Sequence, residues 1–362
     1  MHKTGQRPSR RFCLAGLTLV SVATLPAVHG QEAPSLPSNV PLPGVAAAAP
    51  PTGVRFVTPP PPGFNPLTAS VPLKAIYAIP PAPPASAPAK LRSDWQRAID
   101  IAASGASFST PTLSQTLVSH RPAQKLGRPA PIEGTRNSVA AQSSNWSGNS
   151  VVNNANPLPS VAVVGEFVVP TARQAFGSCS GGWDYSSLWP GIDGNGSNDV
   201  LQGGVEVDAY CSGNTTATLY SAWVEWYPYN ETRVSAPAMH PGDLVLVEVW
   251  NTSATTGCVW FYNLSTQQTA TYALTAPGGT TLVGNSVEWI VERPGINGGL
   301  ANLTNYVDAA WPVGFAWNTA GANAPDIYDG QDPASGVLET ITMLDNANNP
   351  ISSSIIENSE FL

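Results

Sequence analysis

Charged residues are scarce in this chain of 362 residues, of which only 11% are Asp, Glu, Lys or Arg. That share is less than half of what an ordinary soluble protein carries. With 16 Lys and Arg against 24 Asp and Glu, the chain lacks the basic surface needed to displace counterions from nucleic acid. The 36 prolines and 32 glycines argue against a coiled coil and against a mainly helical protein. The composition therefore indicates neither a nucleic-acid binder nor a helical bundle.

Cysteine and histidine are also scarce, with four of each. No Cys-x-x-Cys pair and no histidine cluster occurs, so the sequence predicts no metal site. The glycine-rich stretch 191–194 precedes no helical pattern, which argues against a phosphate-binding loop. Beyond Cys13, three cysteines remain, and they allow one disulfide with one thiol left over. We expect Cys179 to pair with Cys211 and Cys258 to stay free.

Long apolar runs are absent apart from residues 12–28, which follow a basic start with Lys3 and Arg7. A basic start, a short apolar run interrupted by Pro26 and small residues before Gly30 are typical of a secretory signal peptide. The run is too short to span a membrane comfortably. We therefore expect residues 1–30 to be a signal peptide and the mature protein to be secreted, with no membrane association. An N-terminal anchor is the alternative.

Residues 31–136, called the leader below, hold 21 of the 36 prolines and carry a net charge of +5. Such a composition favours extended polyproline geometry and predicts no packed core. One amphipathic helix is expected over 90–106, because Leu91, Trp95 and Ile99 recur there at helical spacing.

Residues 137–362, called the acidic domain below, contain three Arg, no Lys and a net charge of −17. A cationic leader on an acidic domain predicts a pro-segment on a zymogen, held by an attraction that fades as carboxylates protonate. A basic cell-wall linker is the alternative. We expect the leader to be removed near Arg136 or near Ala140 and Ala141, and the mature domain to be a monomer.

Short alternating runs separated by Gly, Asn, Pro and Ser fill the acidic domain. Strands of about 5–10 residues with almost no helical periodicity predict an all-β sandwich. The expected strands are 162–169, 201–208, 216–227, 243–250, 258–264, 286–292 and 340–344.

Alternation along three of these strands separates an apolar face from a polar one. The face expected to form the core carries Leu201, Val205, Val207, Tyr220, Ala222, Val224, Trp226, Val287, Trp289 and Val291. The opposite face, called the cleft face below, carries Gln202, Glu206, Asp208, Ser221, Trp223, Glu225, Tyr227, Glu288, Ile290 and Glu292.

The cleft face combines carboxylates with large aromatic side chains, although the acidic domain has no Lys and only three Arg to pair with them. A solvated face would carry opposite charges paired across strands. Unpaired acids beside aromatics are more typical of a binding surface. The alternative is that a second layer of chain covers the aromatics.

Nucleophilic catalysis has little support in the acidic domain. A Ser-His-Asp triad or a thiol nucleophile would have to use His240, which lies in a turn before a strand. We interpret His240 as a surface turn residue. Carboxylate chemistry on the cleft face is what remains.

Six short motifs occur in one order along the acidic domain. They are 144–148 (SNWSG), 165–170 (GEFVVP), 189–194 (WPGIDG), 201–204 (LQGG), 223–228 (WVEWYP) and 288–292 (EWIVE). Together they resemble the glutamic peptidases, or eqolisins, which are exported acid endopeptidases made with a pro-segment. The resemblance is strong over residues 143–292 and weaker towards the end of the chain.

This resemblance implies a concanavalin A-like sandwich of two antiparallel sheets, with a protein or peptide substrate across one sheet and neither metal nor cofactor. It implies that Gln202 and Glu292 are the catalytic pair. The positions implied to line or support the substrate cleft are Trp146, Trp189, Asp193, Glu206, Trp223, Glu225 and Tyr227.

The implied mechanism is direct attack by water. Ionised Glu292 would take a proton from the water and deliver it to the leaving amide nitrogen. Gln202 would orient the water and donate its amide N–H to the oxyanion. Two positions depart from the family pattern: Pro190 stands where Val is common, and Arg293 follows the catalytic Glu where an acid is common. Arg293 should point to the other face of its strand.

Two rival functions remain at the level of sequence. Glu288 and Glu292 lie on one face of one strand, as in some retaining glycosidases, with aromatics able to stack on sugars. Four residues span about 13 Å of strand, whereas a retaining pair needs carboxyls about 5–5.5 Å apart. The second rival is a lectin-like binding module, which would show no turnover.

Overall fold

The computed structural model describes residues 36–44, 51–103, 110–127, 138–175, 179–320, 326–329, 336–357 and 360–361. Residues 1–31 and 32–362 are separate units, and all of the described residues belong to the second. The expected signal peptide and the expected processing site at Arg136 lie outside the described residues. Neither helix in the described part of the chain combines the length and apolar character needed to cross a membrane.

The leader contributes two helices and three short strands. They are β1 (Val54–Phe56), α1 (Val71–Ile76), α2 (Ala89–Ala103), β2 (Leu113–Gln115) and β3 (Val118–Ser119). Helix α2 is the predicted amphipathic helix and begins one residue earlier than expected. The high proline content gave no indication of the other four elements.

The acidic domain is built from strands, as predicted. The first eleven are β4 (Ser138–Ser143), β5 (Trp146–Val152), β6 (Val161–Val168), β7 (Gly182–Asp184), β8 (Ser187–Ile192), β9 (Val200–Ser212), β10 (Thr215–Tyr227), β11 (Thr232–Val234), β12 (Leu244–Ser253), β13 (Thr256–Asn263) and β14 (Gln268–Thr275). The others are β15 (Ser286–Glu292), β16 (Gly295–Ile296), β17 (Gly299–Leu300), β18 (Val313–Asn318), β19 (Asp326–Asp329), β20 (Val337–Leu344), β21 (Pro350–Ser352), β22 (Ile356–Glu357) and β23 (Glu360–Phe361). Each of the seven predicted strands is present, with its ends shifted by a few residues at most.

Two large sheets form the sandwich, and this confirms the predicted fold class. The smaller has seven strands in the order β1-β14-β13-β12-β6-β18-β19. The larger runs β2-β11-β10-β9-β8-β15-β5-β20-β21, with β7 beside β9 and β4 beside β20. Neighbouring strands are antiparallel except β4 and β20, which are parallel. The leader thus adds an edge strand to each sheet, β1 to the smaller and β2 to the larger.

The main core lies between the two sheets, and the alternation predicted it. All ten side chains assigned to the apolar face belong to this core cluster. From the smaller sheet it includes Val163, Phe167 and Val247. Because side chains alternate along a strand, burial of this face fixes which residues the larger sheet presents on its cleft face.

Helix α2 of the leader covers the outer face of the smaller sheet. Its buried residues Leu91, Trp95 and Ile99 cluster with Leu246 and Tyr262 of the acidic domain. The prediction that the leader would form no packed core did not anticipate this docking, in which described residues of the leader pack onto the sheet that the acidic domain supplies.

The predicted disulfide is present. Cys179 and Cys211 are bonded, with their Cα atoms 5.1 Å apart. Cys258 is a buried free thiol on β13, where burial raises its pKa to about 12. The bond ties the segment before β7 to the end of β9, the strand that carries Gln202.

Candidate active site

The cleft face of the larger sheet brings Gln202 and Glu292 to two strands, β9 and β15, that flank β8. In the strand register, Gly191 of β8 lies opposite Gln202, and Ser187 of β8 lies opposite Glu292. A Cβ atom at Gly191 would lie 2.6 Å from the indole of Trp189. The glycine therefore leaves room for this indole between the two predicted catalytic side chains.

Two acidic-domain side chains donate hydrogen bonds to the Glu292 carboxylate. The indole Nε1 of Trp189 lies 3.0 Å from Oε2, and the amide Nδ2 of Asn145 lies 3.4 Å from Oε1. Glu292 is fully buried, as is Trp189. These two hydrogen bonds, one to each carboxylate oxygen, hold the Glu292 carboxylate in place on the cleft face.

A stretch of the leader lies on this face. Strand β3 pairs antiparallel with β16, just after Glu292 in the chain. Further along, the Ala123 N–H donates to the Gly194 carbonyl at 3.0 Å, and the Gln124 N–H donates to Asn145 Oδ1 at 2.8 Å. Backbone hydrogen bonds therefore hold the leader in extended form on both sides of residues 120–122. This arrangement matches the alternative considered from the sequence, in which a second layer of chain covers the aromatic side chains of the cleft face.

The two predicted catalytic side chains contact opposite ends of one peptide bond. Gln202 Nε2 donates to the carbonyl oxygen of His120 at 2.8 Å. The N–H of Arg121 donates to Glu292 Oε1 at 2.9 Å. The carbonyl oxygen and the amide nitrogen of the His120–Arg121 bond are thus held by different residues.

The imidazole of His120 fills a pocket of aromatic and acidic side chains. Its ring stacks on Trp223, with centroids 3.7 Å apart and an interplanar angle of 14°. Nε2 lies 2.9 Å from Glu206 Oε1 and 3.4 Å from Glu231 Oε2, and Nδ1 lies 3.3 Å from Glu292 Oε2. Burial opposes protonation of the ring, but the contacts with these three carboxylates outweigh burial and raise its pKa well above the usual value.

Carboxyl groups crowd the same pocket, and their pKa values diverge. Burial, reinforced by the charge of Glu231, raises the pKa of Glu206 to about 7. Burial likewise raises the pKa of Glu225, whose carboxylate accepts a hydrogen bond from the backbone N–H of His120 at 3.1 Å. Glu231 behaves in the opposite way, because the charge of Arg233 and the bond to His120 outweigh burial and lower its pKa. At acidic pH, Glu231 therefore keeps its charge longest of these three.

The remaining predicted residues fall into two groups. Trp146 packs edge-on against Trp189 beside the pocket, at 5.0 Å, and Tyr227 borders an opening next to Arg121 of the leader. Asp193 faces elsewhere, since its carboxylate accepts the backbone N–H groups of residues 283–285 at 2.6–3.0 Å. Its contacts are those of a support for the turn before β15.

Three residues in the described part of the chain could offer ligand atoms to one metal ion. They are His120, Glu206 and Glu231, whose ligand atoms lie within 4.8 Å of one another. The imidazole Nε2 already contacts both carboxylates, so an ion pair between the leader and the acidic domain is sufficient to account for the cluster.

Sequence reasoning missed His120, Glu231 and Asn145 as members of this site. His120 lies in the leader, outside any periodic segment, and Glu231 lies after the last residue of β10. Asn145 falls within a recognised motif but between β4 and β5, where alternation says nothing. His240 lies in a turn as expected, where its N–H donates to Asp243 at 2.9 Å.

Comparison with known proteins gives a consistent result. The sequence profile of the peptidase A4 family matches residues 144–358, more than half of the chain. Aspergillopepsin-2 from Aspergillus niger is 30% identical over 221 residues, which cover 52% of this chain and 75% of that protein. Scytalidopepsin B from Scytalidium lignicola is 28% identical over 165 residues, which cover 45% of this chain and 56% of that protein.

Solved structures of glutamic peptidases are also similar. Scytalido-glutamic peptidase with a peptide-based transition-state analogue aligns with 60% of this chain and 96% of its own, at 21% identity and a TM-score of 0.45. Aspergilloglutamic peptidase from Aspergillus niger aligns with 49% of this chain and 96% of its own, at 24% identity and a TM-score of 0.40.

Proposed function

The chain belongs to the peptidase A4 family of glutamic peptidases (eqolisins) and is a peptidase, and from this premise we propose that it is a secreted acid endopeptidase. We assign catalysis to Gln202 and Glu292, and we assign the leader to inhibition of a zymogen. The observation that supports the assignment is that these two side chains hold the carbonyl oxygen and the nitrogen of one peptide bond, at 2.8 and 2.9 Å.

In the proposed reaction, Glu292 is ionised and accepts a proton from the water that attacks the scissile carbonyl carbon. The protonated carboxyl then delivers that proton to the amide nitrogen, because an amide leaves only as an amine. Its distance of 2.9 Å from the amide nitrogen of Arg121 supports this second step. Trp189 and Asn145 keep the carboxylate oriented through both steps by donating to its two oxygens.

Gln202 stabilises the negative charge that develops on the carbonyl oxygen. Its amide donates from a buried position, where a hydrogen bond to an oxyanion is stronger than in water. Removal of one such donor typically costs about 2.7–4 kcal/mol of transition-state stabilisation. The amide cannot ionise, so this contribution persists in acid.

Acidic conditions suit the cleft face because its carboxyl groups are buried together. Burial raises the pKa of Glu206 to about 7 and raises the pKa values of Glu225 and Asp208 as well. At neutral pH, loss of these protons would place several like charges in one dry pocket. At acidic pH these three groups are neutral, and their mutual repulsion disappears.

The leader supports the zymogen assignment through its position. It occupies the cleft face over residues 118–125 and engages both oxygens of Glu292, one through the Arg121 N–H and one through the His120 imidazole. A substrate cannot reach the same atoms while these contacts persist. The expected signal peptide at residues 1–30 would direct this inactive precursor to secretion.

The test is digestion of an acid-denatured protein at about pH 3–4, where ordinary carboxyl groups are mostly protonated, after acid incubation of the full chain. Wild type should digest the substrate, and Glu292→Gln should not. Glu288→Gln is the matched control, since Glu288 is a buried acid on the same strand and the same face, bonded to Ser150. It should retain turnover.

Equal loss of activity in both variants would contradict the Gln202–Glu292 assignment and would favour a role for two carboxylates. Absence of digestion by folded, processed wild-type protein would contradict the proposed function as a whole.

A further inference from the structure

We propose that the His120–Arg121 bond is the first bond this peptidase cleaves in its own leader, and that the pocket around the His120 side chain selects protonated histidine on the acyl side of the scissile bond. The inference rests on the proposed function and adds to it a processing site and a substrate preference.

The backbone of the leader has the direction of a substrate. The residue that supplies the carbonyl oxygen to Gln202 precedes the residue that supplies the N–H to Glu292. A segment bound in reverse would not present the two atoms of one bond in this order. Pairing of β3 with β16 on one side, and the Ala123 and Gln124 hydrogen bonds on the other, fix this register. Addition of an extended peptide to a sheet through backbone hydrogen bonds is a common recognition mode.

The side-chain pocket is shaped for a flat cation with two N–H donors. Trp223 covers one face of the His120 ring, and its own Nε1 is fixed by a bond to Ser187 Oγ at 2.7 Å. Glu206 and Glu231 lie at Nε2, and Glu292 lies at Nδ1. An aliphatic side chain in this position would leave buried carboxylates without a partner, which is a costly loss. Protonated imidazole satisfies both ends of the pocket.

Cleavage at this bond is balanced as an ordinary hydrolysis. Water adds to the carbonyl carbon of His120, a C–O bond forms, and the C–N bond to Arg121 breaks. Glu292 accepts the proton of the water and returns it to the nitrogen of Arg121. The products are a fragment ending in the carboxylate of His120 and a chain beginning with the amine of Arg121.

In the docked leader, both carboxylate oxygens of Glu292 are engaged. Oε1 accepts the Arg121 N–H, and Oε2 lies against the imidazole. Attack by water needs one of these oxygens as a proton acceptor. Hydrolysis therefore requires the Nδ1 contact with Oε2 to open, while the ring stays stacked on Trp223 and paired with Glu206 and Glu231 at Nε2. Later cleavage near Arg136 or near Ala140 and Ala141, the processing sites expected from the sequence, would then remove the rest of the leader.

The first experiment follows the full chain during acid incubation at about pH 3–4 by intact mass and by N-terminal sequencing. The earliest products expected are a fragment ending at His120 and a chain beginning at Arg121, both absent in Glu292→Gln. In His120→Leu, cleavage at this bond should be slower by about tenfold or more. Ser119→Ala is the control, because it changes the neighbouring residue and leaves the imidazole in place. A first cut elsewhere, at a rate that His120→Leu does not change, would overturn the processing site.

The second experiment is independent of how the variants fold. Processed wild-type enzyme is given two synthetic peptides, the ten residues 116–125 and the same peptide with Leu in place of His120. The histidine peptide should have a kcat/KM higher by about tenfold or more, with cleavage at the His–Arg bond. In Glu231→Gln enzyme this ratio should fall. Equal kcat/KM values in wild type would overturn the substrate preference.

Digestion of an acid-denatured protein by the same preparation separates this inference from the proposed function. If that protein is digested while neither peptide is cut at its central bond, the inference fails and the peptidase assignment stands. If no substrate is digested, the proposed function fails first.

Discussion

Replacement of Glu166 by Gln should stabilise the full chain at neutral pH and leave it almost unchanged in acid. Glu166 lies on β6, on the outer face of the smaller sheet beneath helix α2, and is fully buried. Its carboxylate pairs with Lys90 of that helix, and Lys90 also contacts Asp94 at 2.8 Å. Lys90 is half exposed, so Asp94 and solvent can still satisfy it after the substitution.

The magnitude follows from the pKa of Glu166, which burial raises from 4.5 to about 7 despite the neighbouring Lys90. Because the folded state binds this proton more tightly than the unfolded state, the free energy of unfolding falls as the pH rises from 4.5 to 7. At about 1.4 kcal/mol per pKa unit, the loss is about 3 kcal/mol above pH 7 and nothing below 4.5. Gln cannot ionise, so Glu166→Gln avoids the loss.

The measurement is urea unfolding at about pH 4 and about pH 8, on either side of this titration. It should be made in a Glu292→Gln background, so that acid does not trigger processing of the chain. Glu166→Gln should exceed its parent by about 3 kcal/mol at the higher pH and match it at the lower. Glu339→Gln is the control, because it removes a partly exposed ion pair with Lys125 that should be worth at most about 1 kcal/mol. Parallel pH profiles for Glu166→Gln and its parent would refute the reasoning.

Two further substitutions test the leader and the support of the cleft. Trp95→Ala removes the largest side chain that α2 buries and should cost about 3–5 kcal/mol, enough to raise the undocked population of the leader about 100-fold or more. This larger undocked population should appear as faster hydrogen exchange of the α2 amides and as earlier processing in acid. Unchanged exchange would contradict the docking of α2 on the sheet. Asp193→Ala should lower the free energy of unfolding by about 3 kcal/mol, because it leaves three backbone N–H groups without their acceptor. Unchanged stability with lost turnover would instead assign Asp193 to substrate contact.

The sheet architecture and the cleft face could be predicted because they depend on local alternation. Leu201 and Gln202 are neighbours on one strand, and burial of the first forces the second to the opposite face. The same logic placed Trp223, Glu225 and Glu292. The sequence of each strand shows which side chains share a face. In a sandwich of two large sheets, the apolar face must point into the shared core, and the other face must point away from it.

Alternation could not predict the structure of the leader, because that structure depends on contacts with distant residues. Val118 and Ser119 become a strand only by pairing with residues 295–296, and nothing in their own sequence has a period of two. His120 gains its partners from four other strands or turns, separated from it by up to 172 residues. Composition could indicate that the leader is cationic and extended. It could not indicate where an extended segment docks.

The ionisable groups at the docking site contribute to stability with opposite dependences on pH. This limits how acid could release the leader. Glu206 and Glu225 have raised pKa values, so their protonation in acid stabilises the folded chain, as it does at Glu166. The raised pKa of His120 gives a contribution that is complete below pH 6.5 and is lost only as the pH rises through the folded value.

Among the carboxyls that face the His120 ring and have a shifted pKa, Glu231 is the exception. Its pKa is lowered, because the charge of Arg233 and the contact with His120 outweigh burial. Its contribution to the stability of the folded chain is therefore complete above pH 4.5 and is lost as the pH falls through the lower folded value. Among the carboxyls of this pocket with a shifted pKa, Glu231 is therefore the one whose protonation follows the expectation that attraction between the +5 leader and the −17 domain fades in acid.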